Sequence, residues 1–311
     1  MIMNKFLSMA GPLARLSAGL MLGTATFAQA ADLPDTAPAY ERFEDRGLIY
    51  AGTIEVYLGG AFVTGESGNA DSQFDEQSNF FIFGGSGRAS VPWSNSFSTQ
   101  FDVDADGRWV DEDADSGMFV ASAQVGAHAS LRDPEAYLIG LFGGIGSVGI
   151  HDDDNGKFWF AGIEGQYYWN DFTIYGQGGY MDQTGHDDNF HAAWFVRGVG
   201  RYFWTDNTMI QGELAYANGE QDTNDRDMDL FAWGLRLDHQ FMAAPVTGFA
   251  AYEGGYYDNC CGDGGDFTEH AFKVGAKFVF GANSLKHNDR AGATLDLPSF
   301  GRWVAAGHEL D

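Results

Sequence analysis

The chain has 311 residues, with 44 acidic side chains against 17 basic ones and a formal net charge of −27. So acidic a chain is repelled by phosphate, which excludes nucleic acid as a partner. Aromatic residues make up 15% of the sequence and glycine occupies 43 positions, while charges or glycines interrupt every apolar run beyond the first 30 residues. That composition describes an exported, all-β chain and not a helical membrane protein.

Residues 1–30 carry Lys5 and Arg15 and no acid, then an apolar stretch, then Ala28-Gln29-Ala30. A basic start, a short apolar middle and an A-x-A site predict a cleaved secretory signal. The apolar middle is shorter than the ~20 residues a spanning helix needs. Losing Lys5 and Arg15 takes the formal charge from −27 to −29. Residues 31–51 are predicted to be a periplasmic N-terminal segment.

From residue 52 the pattern has a period of two. Strands are expected near 52–64, 80–91, 96–106, 117–131, 135–147, 157–169, 171–181, 190–204, 207–217, 229–241, 246–257 and 267–280. In the third, Phe97, Thr99, Phe101, Val103 and Ala105 share one face, and Asp102, Asp104 and Asp106 lie on the other. Arg197 and Arg201 oppose Trp194, Val196 and Tyr202 in the eighth. Arg236 and Asp238 oppose Phe231, Trp233, Leu235 and Leu237 in the tenth, and Lys273 and Lys277 oppose Phe272, Val274 and Phe278 in the last.

The connections alternate in length. Short ones such as Arg132-Asp133-Pro134, Trp169-Asn170-Asp171 and Ala243-Ala244-Pro245 carry turn residues. Long ones such as "GESGNADSQFDEQSN", "HDDDNGK" and "DQTGHDDN" are acidic. Aromatics gather at both ends, with Trp93, Trp169, Trp204 and Phe241 by short turns, and Phe81, Trp159, Phe190 and Phe267 by long loops. A soluble β-sandwich also alternates, but it explains neither the loop asymmetry nor the two aromatic girdles. Both belong to a transmembrane up-and-down antiparallel barrel of about 12 strands over residues 52–280, with short periplasmic turns and long external loops.

With its signal segment, the mature start "ADLPDTAPA", aromatic-edged strands and a last strand "AFKVGAKFVF", the chain resembles the porin-type outer-membrane β-barrels of Gram-negative bacteria. The "ADLP" start is similar to that of alphaproteobacterial members. The resemblance implies an outer-membrane location, contact with lipid and lipopolysaccharide, and passage of small solutes or ions. One feature departs from the family: 31 residues, Gly281 to Asp311, follow Phe280, where such barrels usually end on an aromatic assembly signal. This polar tail (281–311) is expected to be periplasmic.

By parity the lumen receives Glu55, Asp102, Asp104, Asp106, Glu164, Glu213, Asp238 and Glu253, against Arg88, Arg197, Arg201, Arg236, Lys273 and Lys277. Two readings stand side by side. Cross-strand ion pairs could satisfy a narrow interior, with Arg197–Glu213, Lys277–Glu55 and Lys273–Glu253 at compatible heights. Alternatively the acidic row faces Arg197, Arg201 and Arg236 across an open constriction and gives a transverse field. Twelve strands fall between a filled and an open barrel, so a narrow or partly occluded pore is expected.

The acidic loops could take Ca²⁺ or Mg²⁺, although solvated surface charge explains them as well, and "HDDDNG" fails as a calcium loop because His151 takes the first ligand position. No other cofactor is expected. Cys260 and Cys261, the two cysteines, are adjacent, which excludes a framework disulfide within the chain. An outer-membrane protease would draw on external Asp and His, which His151-Asp152 or His186-Asp187-Asp188 supply, but Asp-rich loops produce such neighbours by chance, and His239 has lipid-facing parity with no serine nearby. The chain is therefore expected not to be an enzyme. The expected function is passive diffusion of small hydrophilic solutes, favouring cations. The alternative is a closed structural or surface-interaction barrel whose loops divalent ions bridge to lipopolysaccharide. An oligomer is compatible with either.

Overall fold

The computed structural model describes residues 51–66, 78–110, 118–149, 155–184, 190–221, 226–241, 245–261 and 265–306. The strands are β1 (Ala51–Glu66), β2 (Ser78–Pro92), β3 (Phe97–Val110), β4 (Met118–Asp133), β5 (Tyr137–Gly149) and β6 (Asn155–Trp169). They continue as β7 (Phe172–Thr184), β8 (His191–Thr205), β9 (Thr208–Gln221), β10 (Arg226–Gln240), β11 (Val246–Cys261) and β12 (Gly265–Phe280). Each pairs antiparallel with its chain neighbours, and β1 pairs with β12 from Gly52↔Phe280 to Glu66↔Asp266, so the sheet closes on itself.

The period of two forms this wall because one face is solvated by lipid and the other by the interior. Leu58, Leu141, Ile163 and Val274 are exposed on the outside, while Asp102 is 4% exposed on the inside. Closure leaves no edge, so the wall satisfies its own backbone groups without water. Trp93, Trp169, Trp204 and Phe241 ring the short-turn end, and Phe81, Trp109, Trp159 and Trp194 ring the other. Phe190 and Phe267 do not join that second girdle. Phe190 is fully buried in the interior and Phe267 stacks on Tyr257 at 4.6 Å.

Most strands run two to four residues past their expected limits at the loop end. Above the bilayer the hydrogen-bond ladder continues in water, where apolar alternation is no longer required, so the pattern fades before the strand does. Arg108, which the sequence places in a long loop, is therefore in β3. At the opposite end the turns are tight. Asn170 holds a left-handed φ of 52° in the two-residue link from β6 to β7, a conformation Asn accepts more readily than most residues.

The tail is not a solvated periplasmic extension. Gly281, with φ of 76°, breaks from β12, and Ala282 and Leu285 then pack on Phe203, Met209 and Val279 inside the wall. Ser284 caps α1 (Leu285–Ala291), its hydroxyl accepting from the His287 amide at 3.1 Å. Residues 294–299 follow without regular secondary structure, and α2 (Phe300–Ala306) comes after them. Leu295, Leu297, Phe300, Trp303 and Val304 are all buried. Their apolar area is what an aqueous tail would have to expose, and the interior of the barrel removes it from water.

The expected signal segment (1–30), the N-terminal segment (31–51, save Ala51 in β1), most of the long-loop residues, and the last five residues of the tail lie outside the described residues.

Candidate functional site

The lumen has two zones. Toward the loop end, Phe158, Phe160, Met181, Phe195, Met228, Leu230 and Tyr257 project inward and form one apolar cluster with Leu297, Phe300, Trp303 and Val304 of the tail. Phe300 stacks on Phe160 at 4.5 Å and meets Phe195 edge-on at 5.0 Å. A barrel interior is ordinarily polar, so this cluster exists to hold something apolar, and the tail is what it holds.

Toward the short-turn end, besides the apolar contacts of Phe203, Met209 and Val279, polar wall side chains grip the tail's backbone. Gln100 donates to the Leu295 carbonyl at 2.7 Å and accepts from its amide at 3.3 Å. Gln124 donates to Pro298 O at 2.9 Å, Gln177 to Asp296 O at 2.8 Å, and Arg132 to Gly292 O at 2.8 Å. Backbone without regular structure carries one unpaired donor and one acceptor per residue, and these wall side chains supply the partners. Pro298 keeps Leu297 out of the helical region.

At the centre lies Asp296. Its carboxylate is paired with Arg197, with Arg201 at 3.3 Å, and with Arg88 at 3.9 Å. Burial alone would raise this carboxyl, but Arg197, Arg88 and Arg201 outweigh it and hold it well below the usual carboxylate range. Arg88 is on β2 and Arg197 and Arg201 are on β8, six strands away in a ring of twelve. One carboxylate from the tail therefore ties opposite walls together. Nearer the loop end, Arg302 of α2 donates to Glu253 at 2.6 Å and Glu269 at 2.9 Å.

Each of the lumen charges singled out by the sequence has near partners. Asp102 accepts from Gln100 at 2.6 Å and lies 3.9 Å from Arg88 and 3.5 Å from His128. Asp104 is 3.5 Å from Gln124, and Asp106 is bonded to Ser122. Arg236 forks onto Glu55 (2.9 and 2.7 Å) and also holds Asp238. The tail takes up most of the space between the acidic row and the arginines, and Asp104 and Asp106 share only a small remaining cavity with Arg197 and Arg236. The lumen charges pair partly within the wall and partly with the tail's Asp289 and Asp296.

Two of the three expected pairs form: Arg197–Glu213 and Lys273–Glu253, both at 2.7 Å. The third does not. Lys277 pairs with Asp238 at 2.7 Å although its register partner is Glu55. The bidentate fork of Arg236 takes both Glu55 oxygens and leaves Lys277 to the next carboxylate. Glu269, Arg108 and the tail's Asp289, Asp296 and Arg302 were missed. Glu269 and Arg108 sit on lumen parity beyond the apolar alternation. In the tail, "TLDLP" carries its own period of two, with Phe300 and Trp303 three apart, a pattern no solvated segment needs.

A cavity of about 200 Å³ remains between the tail and the wall. Glu55, Asp104, Asp106, Glu213, Glu253, Glu269 and Asp296 line it, against Arg88, Arg108, Arg197, Arg236, Arg302 and Lys273. Among the described residues no cluster of three or more His, Cys, Asp or Glu side chains is arranged to hold a metal. The candidates Ca²⁺ and Mg²⁺ sites in the acidic loops, and His151, Asp152, His186, Asp187 and Asp188, lie outside the described residues. His239 is on the outside beside Phe241, with Nδ1 3.0 Å from the Thr208 hydroxyl.

Neither a protein-family model nor a curated protein matches this sequence. Solved structures do match in shape. An outer-membrane channel from Pseudomonas putida aligns with a TM-score of 0.54 at 14% identity, over 79% of this chain and 100% of that one. The β domain of a Bordetella autotransporter gives 0.46 at 14% identity, over 74% and 100%. The KdgM porin gives 0.42 at 12%, over 73% and 99%. At such identities the likeness to the channel is one of fold. Closed twelve-strand wall, lipid-facing exterior and aromatic girdles define the chain as an outer-membrane β-barrel protein.

Proposed function

We propose that the chain is an outer-membrane channel for passive diffusion of small hydrophilic solutes, which its own C-terminal segment holds nearly closed. The observation that carries this is the threading of residues 282–306 through a wall that is complete without them. Every strand has both neighbours, so the segment can leave without breaking a ladder bond. What it would give up is mostly side-chain contact, much of it polar and replaceable by water, and the bond from the Lys286 amide to the Asp206 carbonyl. The remaining cavity of about 200 Å³ is below the ~300–1,000 Å³ of ordinary ligand sites, so larger solutes require displacement.

A preference for cations, expected from the acidic row, finds no support in this lining, because acids and bases nearly balance and Asp102 is already engaged. The reading assigns chemistry to no residue. The closed structural barrel is favoured by one observation, the apolar seal around Phe300. Reconstitution of the full chain in planar bilayers separates the two. Discrete conductance steps support the channel, and a folded protein that never conducts under voltage overturns it.

A further inference from the structure

The arginines that hold Asp296 are unequally provided for. Arg197 has a wall carboxylate, Glu213 at 2.7 Å. Arg88 has Asp102, at 3.9 Å, and its buried Nε makes no hydrogen bond among the described residues. Arg201 has neither. Its carboxylate partners, Asp289 at 2.7 Å and Asp296 at 3.3 Å, both come from the tail, and among the described residues the wall offers it the neutral Gln211 at 3.1 Å and the Tyr175 ring at 5.3 Å but no carboxylate. At the Arg302 contact the wall keeps its own balance. If Arg302 departs, Glu253 retains Lys273 and Glu269 retains Arg108.

Withdrawing the tail therefore has a local effect of definite sign. Arg88, Arg197 and Arg201 lose two carboxylates together, and Arg201 is left with no anion. An unpaired guanidinium in a confined lumen is costly, and it is relieved when another anion arrives. Carboxylate is the matching chemistry, because the planar fork binds it in two-point fashion. Arg88 and Arg197 also line the residual cavity, so a solute can reach this cluster while the tail is still docked.

We infer that Arg88, Arg197 and Arg201 form a binding site for small carboxylate-bearing solutes, which Asp296 and Asp289 occupy in the closed state. Binding and opening are then linked, since a solute carboxylate and the tail compete for the same cations and each weakens the other's hold. Passage of such solutes rests on the channel reading, but binding does not, and the test separates them.

The test is calorimetric titration of sodium succinate into the detergent-solubilised full chain at low salt, with folding checked by heat-dependent electrophoretic mobility. Asp296→Asn keeps the shape of the tail and removes the one carboxylate that all three arginines share, while Asp289 stays on Arg201. It should bind succinate at least ten times more tightly than the unaltered chain, and adding Arg201→Gln should remove that gain. Arg88→Gln, at the cavity edge, serves the same purpose should the Arg201 variant fail to fold. Equal affinity in the unaltered chain and Asp296→Asn, or retention of the gain in both arginine variants, overturns the site. Succinate binding as expected in a protein that never conducts would leave the site standing and sink the channel reading alone.

Discussion

Asp296 and Arg197, 99 residues apart in sequence, are joined by an ion pair in the middle of the lumen. Arg197 is oriented before the tail arrives. Glu213 takes its Nε and Nη2 at 2.7 Å each, and Gln177 accepts from its Nη1 at 2.7 Å. The wall thus presents a fixed cation and the tail supplies the last carboxylate, which makes Asp296 a latch.

The pH dependence of that latch has a definite sign. The docked carboxyl of Asp296 titrates below the free value, because its three arginines outweigh its burial. Its stabilisation is therefore fully present above the free aspartate value of about 3.9 and is lost as pH falls toward the docked value. Closed-state dwell times in planar bilayers should stay flat from about pH 8 to about pH 5 as far as this group is concerned. They should shorten only in stronger acid. In Asp296→Asn they should be short throughout, and a latch that releases near pH 6 would contradict the assignment.

Phe300 should be the main apolar anchor. It is fully buried against Phe158, Phe160 and Phe195, and truncating such a side chain costs about 3–5 kcal/mol. Those contacts exist only with the tail docked. Phe300→Ala should therefore raise the open-to-closed ratio by roughly two to four powers of ten. Phe272→Ala, on the lipid-facing side, should leave it unchanged. Single-channel open probability reads both.

Orientation follows from the asymmetry of the connections. A cysteine placed at Asp153 or Asp187 should react with a bulky, impermeant thiol reagent on intact cells, and one at Asn170 or Asn207 should not. Labelling at Asn170 would mean that the short turns face outward and that the tail enters from outside.

The barrel was legible because lipid imposes a rule on each strand independently. Phe97 to Ala105 must alternate with Asp102 to Asp106 whatever the rest of the chain does, and Trp169 and Trp204 mark an interface by themselves. Pairs such as Arg197 with Glu213 were legible for a related reason: they sit on adjacent strands whose register parity fixes. The tail obeys no such local rule. Its charged residues make it read as solvated, while Leu295 and Leu297 alternate over too few positions to stand out. Its partners Arg88, Arg197 and Arg201 are remote in sequence, and only closure of the wall brings β2 and β8 to either side of Asp296. Lys277 shows the same limit on a smaller scale, since its choice of Asp238 depends on where Arg236 has already gone.

The central claim is that the docked C-terminal segment closes the channel, and tethering that segment tests it most directly. Leu297 lies over Gly126, its terminal carbons 2.9 Å from where a Cβ on that glycine would stand. This brings the two positions within reach of a disulfide's ~3.5–4.5 Å Cβ separation. The measurement is single-channel conductance of Gly126→Cys with Leu297→Cys, in a chain whose Cys260 and Cys261 are replaced by serine. Oxidised, the tethered protein should show no openings, and reduction should restore steps like those of the untethered chain. Identical conductance in the oxidised and reduced states would show that solutes pass with the tail in place, and the claim would fail.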